Sequence, residues 1–425
     1  MKSSILIKNW LKKIANESKL SVKRINFIDS NEWVFSNGKL HHKSGRFFSI
    51  IDVNWDKKDY LLIDQREIGT LGFLIFKGSR NNQIFVQAKV EPGNIGKAQL
   101  SPTCQATASN IARQHGGKLP PFASLFMKND SKKISDSLQS EQGTRFFQKR
   151  NRNVIFEAQN KTKITSNHYK WLNVDDFLPL LGKDFLVNTD ARSVIVSSNW
   201  KELVGRAPFS KVANEFTKNL LYSFETQDVL IPTNHVLKLL KAEANKLSKP
   251  KLIDLDKCKA LSIKKDEIRL VDDATFRAIQ ISVSVNGREV STWDQPIIDS
   301  FSSGRASLYY ARKDNILYFL FKIQPEPGLY NLVELGPSFI NEPGSKSNEE
   351  KELKGKITYK AWQSDEGGRF FKDKTLYSLV DIGTISRIKN DCIWLTLRQI
   401  QELSQKGGIF NNEARSAISL LLQWM

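Results

Sequence analysis

Apolar and polar positions along this chain fall into helical and strand periods, and each period names an element. Near the start, Ile5, Leu6, Trp10, Leu11 and Ile14 share one face at helical spacing, which predicts an amphipathic helix docked on a core. Two apolar, β-rich runs, Leu71 to Phe76 and Ile84 to Lys89, flank turn residues at Gly78 to Asn82 and predict a hairpin. A second hairpin follows the same plan: Ala306 to Ala311, a turn at Lys313 to Asn315, then Ile316 to Ile323. Runs this apolar belong to strands covered on both faces. Helical patterns recur at Val212 to Phe224 and at His235 to Leu247, the latter stopped by Ser248, Lys249 and Pro250, and further helices begin near Asn173 and Thr396. The expectation is an α+β fold, a mixed sheet with helices packed on it.

The pattern is written twice. AKVEPGNIGKAQLSPT from Ala88 matches IQPEPGLYNLVELGPS from Ile323, and QSEQGTRFF from Gln139 matches QSDEGGRFF from Gln363. WLNVDDFLPLLGKDFLVNTDARS from Trp171 then matches WLTLRQIQELSQKGGIFNNEARS from Trp394, with the same spacing from Trp171 to Asn188 as from Trp394 to Asn411. The order and spacing identify a duplicated unit: a first copy at 1–206, a helical connector at 207–232 and a second copy at 233–425. A chain of 425 residues suits two cores better than one.

The segment from Leu100 to Gly117, LSPTCQATASNIARQHGG, carries the strongest local signal. Ser101 as N-cap, Pro102 at the first helical position and Gly116 at the end predict a helix. On it Thr103, Thr107, Asn110 and Gln114 would form an uncharged polar stripe suited to a polyhydroxylated ligand, with Arg113 and His115 beside it. Cys104, Ala108 and Ile111 would face the other way. A plain solvated face accounts for the same stripe. In the second copy Pro343 would interrupt any helix begun at Pro337, so the working site is expected on the first copy.

Composition narrows the function classes. With 40% hydrophobic and 26% charged residues the chain is globular. Lys and Arg number 64 against 45 Asp and Glu, a net charge of +19, yet the lysines are scattered and no basic tail or nucleic-acid motif accompanies them. The charge therefore describes a solvated surface and no nucleic-acid partner. No run approaches the roughly 20 apolar residues of a membrane span, and the start lacks a secretory signal, so a cytoplasmic protein with no membrane partner is expected. Cys104, Cys258 and Cys392 show no paired spacing, which argues against disulfides and structural zinc. Walker, dinucleotide-binding and nucleophile-elbow motifs are absent, as is a metal cluster of His and acidic residues.

Among single residues, Glu91 of the first Glu-Pro-Gly is a candidate acid or base, although Pro-Gly is also a common turn after a strand. Gln87 and Lys89 precede it at alternate positions and would face one side, with Lys89 placed to meet an anion or oxyanion. Arg46, Arg145 and its repeat partner Arg369 each precede an aromatic pair. A guanidinium fork suits phosphate, and an ordinary surface role fits as well. Trp55 suits either a nucleobase stack or the core.

Taken together, SGRFF around Arg46, QAKVEPGN from Gln87, QLSPTCQATASN from Gln99 and HGG from His115 resemble the NDP-hexose 2,3-dehydratases of deoxysugar biosynthesis. The resemblance implies two tandem Nudix-hydrolase-like halves assembled as a homodimer, without the metal-binding helix of the hydrolases. It implies a nucleotide-linked 4-keto-6-deoxyhexose as substrate and loss of water across carbons 2 and 3, with no cofactor or metal. On that reading Glu91 and His115 transfer protons, while Lys89, Thr103 and Gln105 steady the enolate or the leaving hydroxyl. The diphosphate falls to Arg46, Arg113, Arg145 and the amides after Ser101, with Gln87, Trp55, Thr107, Asn110 and Arg369 as further substrate contacts. Ala108 and Ile111 stand where the family usually has Arg and an aromatic. A sugar-nucleotide-binding protein without catalysis is the alternative.

Overall fold

The computed structural model describes residues 2–114, 118–127, 132–271, 275–286, 290–345, 352–385 and 391–425. Both hairpins form where the apolar runs place them. Gly69–Phe76 pairs with Gln83–Val90, and Gly304–Lys313 with Ile316–Pro325. The second turn consists of Asp314 and Asn315, both at positive φ (51° and 64°), the conformation a two-residue hairpin turn requires.

Each hairpin is the centre of a seven-stranded sheet. In the first half the order is Lys133–Ser140, Arg150–Glu157, Gly69–Phe76, Gln83–Val90, Tyr169–Asn173, and Arg150–Glu157 runs parallel to Gly69–Phe76. In the second half Lys356–Ser364, Lys374–Asp381, Gly304–Lys313 and Ile316–Pro325 repeat the order, parallel pair included. Between the two sheets lie the helices Thr189–Val196 and Asn412–Ser419, buried along their whole lengths. The largest apolar cluster draws on both halves.

Two buried arginines join the halves in matching ways. Arg192 binds the Val187 carbonyl of its own half and the Ser364 carbonyl of the other, the latter at 3.0 Å. Arg415 binds the Phe410 carbonyl and, across the junction, that of Ser140.

The smaller sheets are built by exchange. Ser21–Ile25, from the first half, adds antiparallel to Phe276–Ser284 of the second. Lys251–Ile253, from the second half, adds to Ser49–Trp55 of the first. The repeated motifs interlock across the same axis. Gly93 N–H donates to Gly367 O at 2.8 Å and Gly93 O accepts from Lys372 N–H at 2.9 Å; Gly328 does the same with Gly143 and Gln148 at 2.7 and 2.6 Å. Each Glu-Pro-Gly turn thus seats on the Gly-x-Arg-Phe-Phe turn of the opposite half.

Three expectations require correction. Pro102 does not open a long helix. Ala98–Ser101 and Cys104–Ala106 are strands on either side of it, and the helix is the single turn Ala108–Ile111, capped by Thr107. The local capping signal yields to long-range pairing: Leu100 exchanges backbone hydrogen bonds with Leu186 and Asn188 at 2.8 and 2.9 Å while its strand pairs with Gln87 to Val90. The second half differs less than expected: Val333–Pro337 and Phe339–Asn341 repeat the strands around Pro337, and the short helix is not repeated, Pro343 and Gly344 forming a turn in its place. Finally, the face of Lys2–Glu17 that docks is Ile7, Trp10, Leu11, Ile14 and Ala15, while Ile5 and Leu6 are 57% and 66% exposed.

Candidate active site

The strand Gln83–Val90 ends in the interlocked Glu-Pro-Gly turn, and this delivers Lys89 and Glu91 to the floor of a cleft of about 430 Å³. Lys89 Nζ lies 3.7 Å from Glu91 Oε1 and donates to the Gln105 carbonyl at 2.8 Å. Gln105 in turn donates to Glu91 Oε1 at 3.3 Å and accepts from Asn188 Nδ2 at 2.9 Å, so its amide is fixed from both sides. Glu91 is buried, and its Oε2 has no hydrogen-bond partner.

Two further carboxyls face this pair. Asp190 comes from the first turn of Thr189–Val196, and Glu366 from the QSDEGGRFF turn of the second half. Burial pushes the Asp190 pKa well above the carboxylate range, reinforced by the charges of Glu366, Glu141 and Glu91. Glu366 is raised to about 7 by burial and by Glu91 and Glu141, against the opposing pull of Arg369 and Lys89. Lys149 lines the same cleft; burial lowers its pKa, and its Nζ donates to the Glu67 carbonyl at 2.6 Å. Asp190 and Glu366 therefore hold their protons more tightly than free carboxylic acids do.

The wall opposite is aromatic and polar: Trp33, His42, Phe47, Phe48 and Trp293. Arg369 stacks on Phe48, 4.1 Å from the ring centre, and its Nε donates to Gln65 Oε1 at 3.1 Å. Glu67, held by Gln65, accepts from the Ser109 amide and hydroxyl at 2.7 and 2.9 Å, which anchors the short helix carrying Asn110. A recess of about 80 Å³ continues past Lys89 and Gln105 to Gln87, His168 and Asn286.

Of the residues singled out in the sequence, Lys89, Glu91, Gln105, Thr107, Asn110 and Arg369 meet in the cleft, and Gln87 lines the recess. Thr103 also borders the recess, but its hydroxyl is committed to the Phe85 carbonyl and the Leu74 amide. Ser101 is fully buried in a strand, so the helix amides proposed after it are not formed. Trp55 packs in the core with its Nε1 on the Ser248 carbonyl at 2.8 Å. Arg46 and Arg113 are exposed and outside the lining, and His115 lies outside the described residues.

Arg145 sits in the matching position of the second half, ion-paired to Glu342 at 3.1 Å and stacked on Phe276 at 4.1 Å. Sequence reasoning passed over Asp190, Glu366 and Lys149. The signal for the first two lay in the repeat blocks NTDARS and QSDEGGRFF.

Carboxyls of raised pKa placed beside lysines, in a cleft shared by two fused copies of one α+β unit, suit proton-transfer chemistry. The chain belongs to the NDP-hexose 2,3-dehydratase family, whose model matches residues 5–197 and 233–421. It is 29% identical, over 97% of its length and 90% of the relative's, to the dTDP-4-dehydro-6-deoxy-alpha-D-glucopyranose 2,3-dehydratase of Saccharopolyspora spinosa. A protein of the same description from Amycolatopsis orientalis is 28% identical over 98% of this chain and 89% of its own. No helix among the described residues is long and apolar enough to cross a membrane.

Proposed function

We propose that the cleft removes water across carbons 2 and 3 of a nucleotide-linked 4-keto-6-deoxyhexose, giving a 3,4-diketo-2,6-dideoxy sugar after tautomerisation. The observation that carries this is the convergence of Glu91, Asp190 and Glu366 on Lys89. The 4-keto group acidifies the carbon-3 proton, so the chemistry asks for a base, an acid and a donor to the enolate oxygen. Glu91, ion-paired to Lys89, takes the proton. Asp190, whose proton burial holds more tightly than usual, protonates the departing 2-hydroxyl, and Lys89 steadies the enolate. Arg369 serves the diphosphate, and the rings of Trp33 and Trp293 flank the nucleobase.

The first copy is the catalytic one. Where its cleft has Lys89, Gln105, Lys149 and, from the other half, Glu366, the matching positions of the second cleft are Gln324, Ile340, Asp373 and Gln142, which removes both lysines. The reading of each half as Nudix-like rests on the mixed sheet with its one parallel pair and a buried helix against it. A homodimer is part of the same proposal and is checked by light scattering in solution.

Incubation with dTDP-4-keto-6-deoxyglucose, followed by mass, tests the reaction. Loss of one water is expected, with turnover falling roughly 100-fold or more in Glu91→Gln and in Asp190→Asn and unchanged in Glu413→Gln, the repeat counterpart of Asp190 in the second half. Near-normal turnover in both cleft variants overturns the assignment. Tight binding of unchanged substrate supports the non-catalytic alternative.

A further inference from the structure

The exchanged strand Lys251–Ile253 gathers a second set of reactive side chains, away from the cleft. Ile253 stands opposite Asp52 in the register, and the chain beyond it places Cys258 against the hairpin formed by Ser49–Trp55 and Lys58–Asp64. The Cys258 sulfur lies 3.6 Å from Asp59 Oδ2. That sulfur and one oxygen each from Asp52 and Asp59 all lie within 4.8 Å of one another. Asn54 Nδ2 holds Asp59 Oδ1 at 2.5 Å, leaving Oδ2 turned toward the sulfur.

Asp52 is the telling member. Its side chain is 0% exposed, and neither carboxylate oxygen makes a well-aligned hydrogen bond, although the Val53 and Tyr60 amides and the Cys258 thiol face it. A buried carboxylate so poorly met is costly unless a proton or a cation compensates it. The other half fills the same position with uncharged groups, although the Gln280 Oε1 there also lacks a partner. Gln280 occupies the place of Asp52 and Ser30 that of Cys258, and Gln280 Nε2 donates to Ser30 Oγ at 3.1 Å. An amide and a hydroxyl make a neutral hydrogen bond there; a carboxylate and a thiol make a set of metal ligands here.

We propose that Asp52, Asp59 and Cys258 bind a zinc-class divalent cation that fastens the exchanged strand of the second half to the hairpin of the first. One sulfur with two carboxylate oxygens selects zinc over magnesium or calcium. Tetrahedral zinc holds such ligands roughly 3.3–3.6 Å apart, so small side-chain rotations close the site, and water completes the fourth position. The sequence gives no hint of it, because Cys258 and Asp59 are 199 residues apart.

The test uses the full chain, stripped with EDTA and then titrated with Zn²⁺ or Co²⁺. After dialysis one zinc per chain is expected by mass spectrometry, Zn²⁺ raises the melting temperature, and Co²⁺ gives a near-ultraviolet thiolate-to-cobalt absorption band. The band and the retained zinc disappear in Cys258→Ser and in Asp59→Asn and persist in Cys392→Ser. Asp59 is only partly buried, so its variant keeps the test open if the cysteine variant misfolds. Zinc retention no greater in the parent chain than in these variants, or a cobalt band that survives Cys258→Ser, overturns the proposal.

Discussion

At Gly93 the absence of one methyl group lets the two halves close on each other. A Cβ there would stand 1.7 Å from the Phe370 carbonyl oxygen, and one at Gly328 would stand 1.8 Å from that of Phe146. Both clashes are with backbone, which has no rotamer to yield. Gly93→Ala is therefore expected to cost about 3 kcal/mol or more, measured by denaturant unfolding, and to displace Glu91 with the turn, so that turnover falls as well. The same residue shows how a motif misleads. Glu-Pro-Gly reads as a turn, and it is one, but the glycine answers to a partner 274 positions on in the second copy. Asp190 is hidden differently: within NTDARS it reads as a helix-start acid, and only the fold buries it and brings Glu366 of the other half beside it, which together raise its pKa well above the usual value.

At the scale of elements, the exchanged strands invert the usual relation between sequence and stability. Val22 lies in the first half but packs on Ile279, Ile281, Val283 and Ile297 of the second. Val22→Asp is expected to destabilise by about 1–3 kcal/mol and to loosen the strand Phe276–Ser284 more than Ser49–Trp55, its own half's equivalent. Hydrogen exchange checks this; protection lost mainly at Ser49–Trp55 would contradict the exchange. The segment around Pro102 teaches the complementary lesson. Its capping residues are those of a helix, yet hydrogen bonds to Leu186 and Asn188, far along the chain, hold it as strand. Local propensity amounts to fractions of a kcal/mol per residue, too little to resist a ladder and a buried setting.

The whole molecule carries an unusual load of buried acid, and its stability responds to pH accordingly. Burial and neighbouring carboxylates raise Glu326 from 4.5 to about 8 and Glu366 from 4.5 to about 7; Asp373 rises from 3.8 to about 7 and Asp365 from 3.8 to about 6. Each group holds its proton more tightly folded than unfolded. Its contribution to stability is thus fully present below the ordinary value and is lost as pH rises through the folded one. The melting temperature is expected to fall between about pH 5 and 8, and Glu326→Gln to flatten that slope; a profile unchanged by the substitution would contradict the burial of Glu326 as a neutral acid.

By itself the sequence determined the α+β class, both hairpins, the duplication and a good part of the cleft, because periodicity, turn chemistry and repeated motifs act over short distances or recur at fixed spacing. Tertiary structure alone decided the rest. The exchange of strands, the fate of the Pro102 segment and the meeting of Lys89 and Glu91 with Asp190, Lys149 and Glu366 all depend on contacts between residues far apart in the chain. Burial then raises the pKa of Asp190 and Glu366, and burial belongs to the folded molecule, not to the order of its residues.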